Sequence, residues 1–258
     1  MNIPGSLPSD GGMRNMILIV GAPFTGKSTA AATFPNPVFF DFDHKAPAGT
    51  TTVPFWNAEF CDKLAPRKNP NHTPNRKDAL LNYFRRHVIT ADTANRIPYS
   101  ATLILDSMTA LEEAIHRQIQ QDGIPVGKNG QPDGFHLWKL KIDYLNDFFA
   151  IAQAWPGTFI CIMHETPEYG ESGAPTGRIK PLLSGQYADK IGSKFTGMYR
   201  QRTVTEPNKP TQYVWDVLPT RTFDSNNTLG IKQQTIPASY ESMMKYATIS
   251  TGPNQPVA

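Results

Sequence analysis

The sequence predicts an α/β fold, a mostly parallel sheet flanked by helices, with antiparallel strands at its C-terminal edge. Three observations carry this. Short apolar runs (Met16–Val20, Val38–Phe42, Thr102–Leu105 and Thr158–Met163) alternate with helical stretches, the pattern of βαβ crossovers. The first run, MILIV, is apolar at every position, as a strand covered by helices on both faces must be. After Gly197 the runs shorten and turn more β-like, Tyr213–Leu218 among them, which suits strands that close an edge.

Taken in order, residues 1–14 are rich in Pro, Gly and Ser and are expected to form a flexible lead-in. Residues 15–249 read as a single domain, and 250–258 as a flexible tail. Met16–Val20 is the first strand and stops at Gly21. Lys27–Phe34 reads as a helix closed by Pro35. Further helices are expected over Lys77–Thr90, Met108–Gln121 and Leu137–Ala154. In the last, Leu140, Tyr144, Leu145, Phe148 and Ile151 recur at helical spacing. Two polar insertions, near 57–100 and 122–135, are too long for simple connectors. Within them Ala65–Lys77 is basic and rich in Pro and Asn, and Asp122–Gly134 has four glycines and two prolines.

Composition narrows the function classes. The 258 residues include 23 prolines, about twice the usual share, which argues against coiled coils and long helical arrays. Cys61 and Cys161 are too few and too far apart for a disulfide framework or a zinc knuckle, so reduced thiols are expected. No run approaches the ~18 apolar residues of a membrane span, and the N-terminus lacks a signal pattern. A soluble, cytoplasmic protein without a membrane partner is expected. The net charge of +3 hides a division: residues 57–100 carry +4, residues 178–232 carry +5, and the remainder −6. Two basic segments on an acidic body suit a polyanionic partner or, equally, solvated surface loops.

The motif with the clearest chemistry is Gly21-Ala22-Pro23-Phe24-Thr25-Gly26-Lys27-Ser28, followed by Thr29, a full match to G-x-x-x-x-G-K-[ST] between a strand and a helix. Such a loop turns backbone N–H groups toward an anion at a helix N-terminus. Lys27 is placed to reach the β- and γ-phosphates of ATP, and Ser28 to offer its hydroxyl to Mg²⁺. A second carboxylate on the magnesium side is expected at the end of another buried strand, and Leu103-Ile104-Leu105-Asp106 supplies it. Asp41 and Asp43 follow Val38–Phe42 two residues apart. If that strand neighbours the phosphate-loop strand, Asp43 is the better base for an attacking water, and Asp41 reads as structural.

These residues resemble a family. Phe39-Phe40-Asp41-Phe42-Asp43-His44 is similar to the RecA-type strand that ends in the catalytic base. Leu103 to Leu111, with Ser107 after Asp106, is similar to the Walker B strand of that family, and Phe195 to Arg200 falls where the family has a strand after its second DNA loop. Length and the helix around Trp138 resemble the small RecA-like ATPases of phages, of the AAA and Sak-type single-strand annealing kind, over about residues 15–235. The resemblance implies an ATP- and Mg²⁺-dependent ATPase in the host cytoplasm. It also implies single-stranded DNA binding in phage recombination or replication, self-association into a ring or filament, and contact with a single-strand-binding or other replication protein. The family's base is usually glutamate, so Asp43 is one methylene shorter.

Two further expectations follow. His164, just past Thr158–Met163, stands where the family senses the γ-phosphate, and is counted with Lys27, Asp43 and Asp106 as catalytic. Thr166–Lys180, with three glycines, reads as a mobile loop; the resemblance implies that it lines a DNA channel, bringing Arg178 and Lys180 to DNA phosphates, where Tyr169 can stack on a base. Arg200, Arg202 and Arg221 are candidates for a cation donated to a neighbouring subunit's site, Arg221 foremost. A helicase-type motor, a small-molecule phosphotransferase and a nucleotide-gated interaction module remain the alternatives.

Overall fold

The computed structural model describes residues 15–53, 81, 84–85, 97–98, 100–121, 130–131, 133–185 and 187–248. The lead-in 1–14, the tail 250–258, Cys61, most of the 57–100 insertion and residues 122–129 lie outside the described residues. Of the expected helix Lys77–Thr90, only Leu81, Phe84 and Arg85 are described, and all three are helical.

The strands are β1 (Met16–Gly21), β2 (Pro37–Asp41), β3 (Thr51–Val53), β4 (Thr102–Asp106), β5 (Phe159–Tyr169), β6 (Pro175–Pro181), β7 (Gly197–Val204), β8 (Gln212–Asp216), β9 (Asn226–Asn227) and β10 (Thr235–Pro237). The helices are α1 (Lys27–Ala31), α2 (Met108–Gln121), α3 (Gly134–Ala152), α4 (Tyr187–Lys190) and α5 (Tyr240–Tyr246). Among the described residues the strands form one sheet in the order β10-β8-β7-β1-β5-β4-β2-β3, with β6 on β5 and β9 on β7. From β7 to β3 every neighbouring pair is parallel. β8, β9 and β10 pair antiparallel, as expected for the C-terminal edge.

The two-residue period of a strand explains the wholly apolar β1. Met16, Leu18 and Val20 face one core, with Leu103, Leu105 and Met163 from the sheet and Met108, Leu111, Tyr144 and Phe148 from α2 and α3. Ile17 and Ile19 face the opposite core, with Ala30, Ala31, Phe34, Trp215 and Met243. Each such side chain contributes roughly 1.5–3 kcal/mol by leaving water, and these contributions seat β1 at the centre of the sheet.

Helix limits follow local hydrogen bonding more than apolar spacing. Asp133 accepts the N–H groups of Phe135 and His136, so α3 begins at Gly134 and not Leu137. α1 stops at Ala31, short of Phe34, because Thr33 and Phe34 close tighter turns on Ala30 and Ala31 before Pro35.

Two expectations are corrected. β2 does not border β1, since β5 and β4 lie between them. Thr166–Lys180 is not a free loop: β5 runs on to Tyr169, turns through Gly170–Ala174, and returns as β6 in an antiparallel hairpin. Gly173, at φ 74°, permits the turn, and the Gly170 and Ala174 backbones close it at 2.9 Å. No helix among the described residues is long and apolar enough to cross a membrane.

Candidate functional site

The parallel strands end together at one edge, where the order reverses around β1 and leaves a crevice. A cleft of about 240 Å³ sits there, lined by Pro23, Phe24, Thr25, Gly26, Lys27, Ser28, Thr29, Asp43, Lys45, Pro47, Asp106 and His164. The residues from Pro23 to Ser28, Asp43, Asp106 and His164, expected from sequence, are thus brought together.

The loop after β1 is shaped by two close approaches. A Cβ on Gly21 would lie 2.5 Å from the Gln201 carbonyl oxygen, so only glycine lets β1 turn there beside β7. Gly26 holds φ 77° directly before α1, and a Cβ on it would meet the Tyr213 ring at 3.1 Å. Ala22 contributes its carbonyl, which accepts from Thr25 Oγ1 at 2.8 Å. Phe24, at φ 63°, stands almost wholly in solvent at the tip of the loop.

Lys27 folds back over this loop. Its Nζ donates to the carbonyls of Gly21 (2.9 Å) and Ala22 (2.7 Å). Burial lowers its pKa to about 8, against the opposing pull of Asp106, Glu165 and Asp43. An ammonium so desolvated, bonded among the described residues to the neutral Gly21 and Ala22 carbonyls, gains from any anion entering the cleft.

Opposite it, Ser28 Oγ donates to Asp106 Oδ2 at 2.5 Å. Asp106 ends β4, and burial pushes its carboxyl up to about 6, with Asp43 and Asp41 adding to the rise and the Ser28 bond opposing it. Two hard oxygen donors side by side, one a poorly solvated anion, fit a Mg²⁺ ion that takes its other oxygens from phosphate and water. Among the described residues no cluster of three or more His, Cys, Asp or Glu forms a protein-only metal cage.

Asp43 reaches the cleft although β5 and β4 separate its strand from β1. The Asp106 carbonyl accepts the N–H groups of Phe42 (2.6 Å) and Asp43 (3.2 Å), tying the end of β2 to the end of β4. His164 Nε2 lies 3.8 Å from Asp43 Oδ2. The imidazole, and after it Ser107, holds the Asp43 carboxyl below the usual carboxylate range against burial. His164 itself is fixed by its backbone: its N–H donates to Thr109 Oγ1 (3.1 Å) and its carbonyl accepts from Leu182 (2.8 Å). Its Nδ1 is buried and has no hydrogen-bond partner among the described residues. Asp41 folds the turn beyond it: its two carboxylate oxygens accept the N–H groups of Lys45 and Ala46.

Two residues in contact with the site escape a reading by motif. Gln201 of β7 is 1% exposed; its Nε2 donates to the Thr25 carbonyl at 2.6 Å, and its Oε1 accepts from Trp215 Nε1 at 2.8 Å. This buried relay props the phosphate loop on the antiparallel edge of the sheet. Lys45, on the turn after β2, lines the cleft as well.

The residues assigned to DNA and to a neighbouring subunit fall elsewhere. Arg178 is bonded to Asp224 and pairs with Glu168 at 3.2 Å, and Lys180 pairs with Asp189 at 3.6 Å, all on the exposed hairpin or beside it. Arg200 forms a two-pronged pair with Glu165 (2.9 and 3.2 Å), and Arg202 another with Asp216 (2.8 and 3.0 Å). Both guanidinium groups are paired with carboxylates of their own chain. Arg221 is exposed and forms no ion pair among the described residues. Cys161 is a buried free thiol within the sheet.

The family model described as AAA domain matches residues 13–229. No curated protein matches the chain. Among solved structures the chain is similar to a KaiC-like protein from the archaeon Pyrococcus horikoshii, at 15% identity over 86% of this chain and 84% of that one, with a TM-score of 0.43. It is similar too to the flagellar accessory protein FlaH of Methanocaldococcus jannaschii, at 14% identity over 86% and 83%, with a TM-score of 0.38. An ATPase from a type III secretion system of pathogenic bacteria follows at 14% identity, 77% and 54% coverage and a TM-score of 0.37. The fold is a P-loop NTPase arrangement, a mostly parallel sheet flanked by helices with antiparallel strands at one edge.

Proposed function

Because the chain belongs to the AAA domain family of P-loop ATPases, we propose that its cleft binds ATP with Mg²⁺ and hydrolyses the terminal phosphoanhydride bond. The observation that carries this is the convergence of Lys27, Ser28, Asp106, Asp43 and His164 on one cleft from four separate segments. Lys27, released from the Gly21 and Ala22 carbonyls, binds the β- and γ-phosphate oxygens, and the loop N–H groups hold the phosphates behind it. Ser28 and Asp106 would hold Mg²⁺, which would supply positive charge to offset that of the phosphate oxygens. Asp43 accepts the proton of a water that attacks the γ-phosphorus, the bond to the β–γ bridging oxygen breaks, and ADP leaves with that electron pair. His164, held at Asp43 and tied through its backbone to α2 and to the segment after the hairpin, orients that carboxylate and reports the state of the site.

The same reading extends to single-stranded DNA in phage recombination or replication, with Arg221 as the cation offered to a neighbouring copy. Arg178 and Lys180 are engaged by carboxylates, so a different surface supports the DNA contact. Trp138 and Phe135 are exposed with ring centroids 6.2 Å apart. Beside them a groove of about 340 Å³ is lined by Trp138, Lys190, Ser193 and Lys194. Exposed rings beside lysines suit stacked bases and their phosphates.

The test is phosphate release from Mg·ATP with and without single-stranded DNA, together with DNA binding at two salt concentrations. Hydrolysis that rises with DNA, and an affinity that falls steeply with salt, support the reading. Hydrolysis without any DNA binding leaves an ATPase with another partner, and no hydrolysis overturns the assignment.

A further inference from the structure

The turn after β2 carries a cation that no motif assigns. Asp41 accepts the N–H groups of Lys45 at 3.1 Å and Ala46 at 2.9 Å, which folds the chain back on itself beyond Asp43. The same turn is anchored on the Asp106 carbonyl through the Phe42 and Asp43 N–H groups. Asp43, Lys45 and Pro47 line the same cleft as Lys27 and Ser28. Lys45 is exposed, and its ammonium forms no ion pair among the described residues.

The charges of the cleft point the same way. Lys45 acts on Lys27 as a like charge and on Asp43 as an opposite one, so its ammonium belongs to the electrostatics of the site. Two ammonium groups in one small cleft repel each other unless an anion lies between them. Among the described residues Arg200 is paired with Glu165 and Arg202 with Asp216. Lys45 lies on the same turn as Asp43 and lines the same cleft, where charge develops on a transferring phosphoryl group.

We propose that Lys45 is a second phosphate-binding cation of this site, supplied by the same chain, which contacts the terminal phosphate and distinguishes a nucleoside triphosphate from a diphosphate. This rests on the reading of the cleft as an ATP site. Its role differs from that of Lys27, which the loop geometry directs to both outer phosphates. A lysine suits the position, since a compact charge on a flexible stem can swing to the phosphate from an exposed turn.

The test is calorimetric binding of ADP and of a non-hydrolysable ATP analogue to the wild-type chain, Lys45→Ala and Lys45→Arg, with Mg²⁺ present. Lys45→Ala is expected to weaken the analogue by about 10-fold or more, the order of a lost charge-assisted contact, with ADP affinity changed by less than about twofold. Lys45→Arg is expected to recover most of the loss. Equal weakening of both nucleotides, or of neither, overturns the proposal. Wild-type protein that binds neither nucleotide overturns the reading of the cleft, and the proposal with it. Lys45 is exposed, so the thermal melt of each variant is expected to match wild type, and a variant with a lowered melt and parallel losses in both affinities counts against it.

Discussion

Replacing Asp106 by Asn is expected to stabilise the nucleotide-free protein while removing its magnesium-dependent activity. The buried carboxyl has its pKa raised from 3.8 to about 6. Folding therefore costs roughly 3 kcal/mol for the ionised group, at about 1.36 kcal/mol per pH unit. The sign follows from proton counting. Between about pH 4 and pH 6 the folded state holds its proton while the unfolded state releases it, so stability falls as pH rises through that window and stays lower above it. Asparagine keeps the shape, its oxygen still accepts from Ser28, and it carries no charge. Urea unfolding without Mg²⁺ or nucleotide is the assay. The Asp106→Asn variant is expected to be about 2–3 kcal/mol more stable than wild type at about pH 7.5, with the gain shrinking to roughly 1 kcal/mol at about pH 4.5. That gain is a substantial part of the roughly 5–15 kcal/mol that holds a typical domain folded. Equal or lower stability near neutral pH, or a gain independent of pH, would refute the argument that burial of this carboxylate is uncompensated in the folded chain.

Three further outcomes are expected. Gln201→Ala leaves Trp215 Nε1 and the Thr25 carbonyl without their partners, at roughly 1–3 kcal/mol each, so unfolding free energy falls by about 2–6 kcal/mol and nucleotide affinity falls with it. An affinity unchanged in a destabilised variant would show that Gln201 supports the sheet and not the loop. Asp43→Asn is expected to keep ATP affinity within a few-fold while single-turnover hydrolysis slows by roughly 10²–10⁴; normal turnover would place the base elsewhere. Lys190→Ala with Lys194→Ala is expected to weaken single-stranded DNA binding at low salt and flatten its salt dependence, whereas Arg178→Ala does neither. A large effect of Arg178→Ala in a filter-binding titration would return the DNA contact to the hairpin.

Part of this site is legible in the sequence, and the rest is hidden for physical reasons. Gly21–Ser28 and Leu103–Asp106 are contiguous, and their chemistry follows from a strand ending in a turn, so the phosphate loop and its carboxylate can be placed from the residues alone. Asp43 is recognisable as a strand-end carboxylate, but the strand order that would bring it to the loop is not the one observed. What brings it in is a pair of backbone bonds to Asp106, which side-chain identity does not encode. Gln201 and Trp215 escape notice because each is an ordinary strand residue whose role exists only across the β7–β8 pair and under the loop. The cations show the limit of counting charge. Arg178 and Lys180 read as free until the fold brings Asp224 and Asp189 to them, 46 and 9 positions along the chain. The Gly-rich centre of 166–180 suggests mobility, yet it is the turn of a hairpin, since glycines that loosen a free chain also close a tight turn between two paired strands.

The central claim is that this cleft holds the phosphates of ATP through Lys27. Equilibrium binding of ATP with Mg²⁺, compared between the wild-type chain and Lys27→Ala, tests it most directly. Losing the buried ammonium removes the group that rests on the Gly21 and Ala22 carbonyls at 2.9 and 2.7 Å. Binding by the wild-type chain, with an affinity at least about 100-fold weaker in the variant, is the result the account predicts, on the order of two charge-assisted contacts. A folded Lys27→Ala chain that binds ATP as tightly as wild type would contradict it.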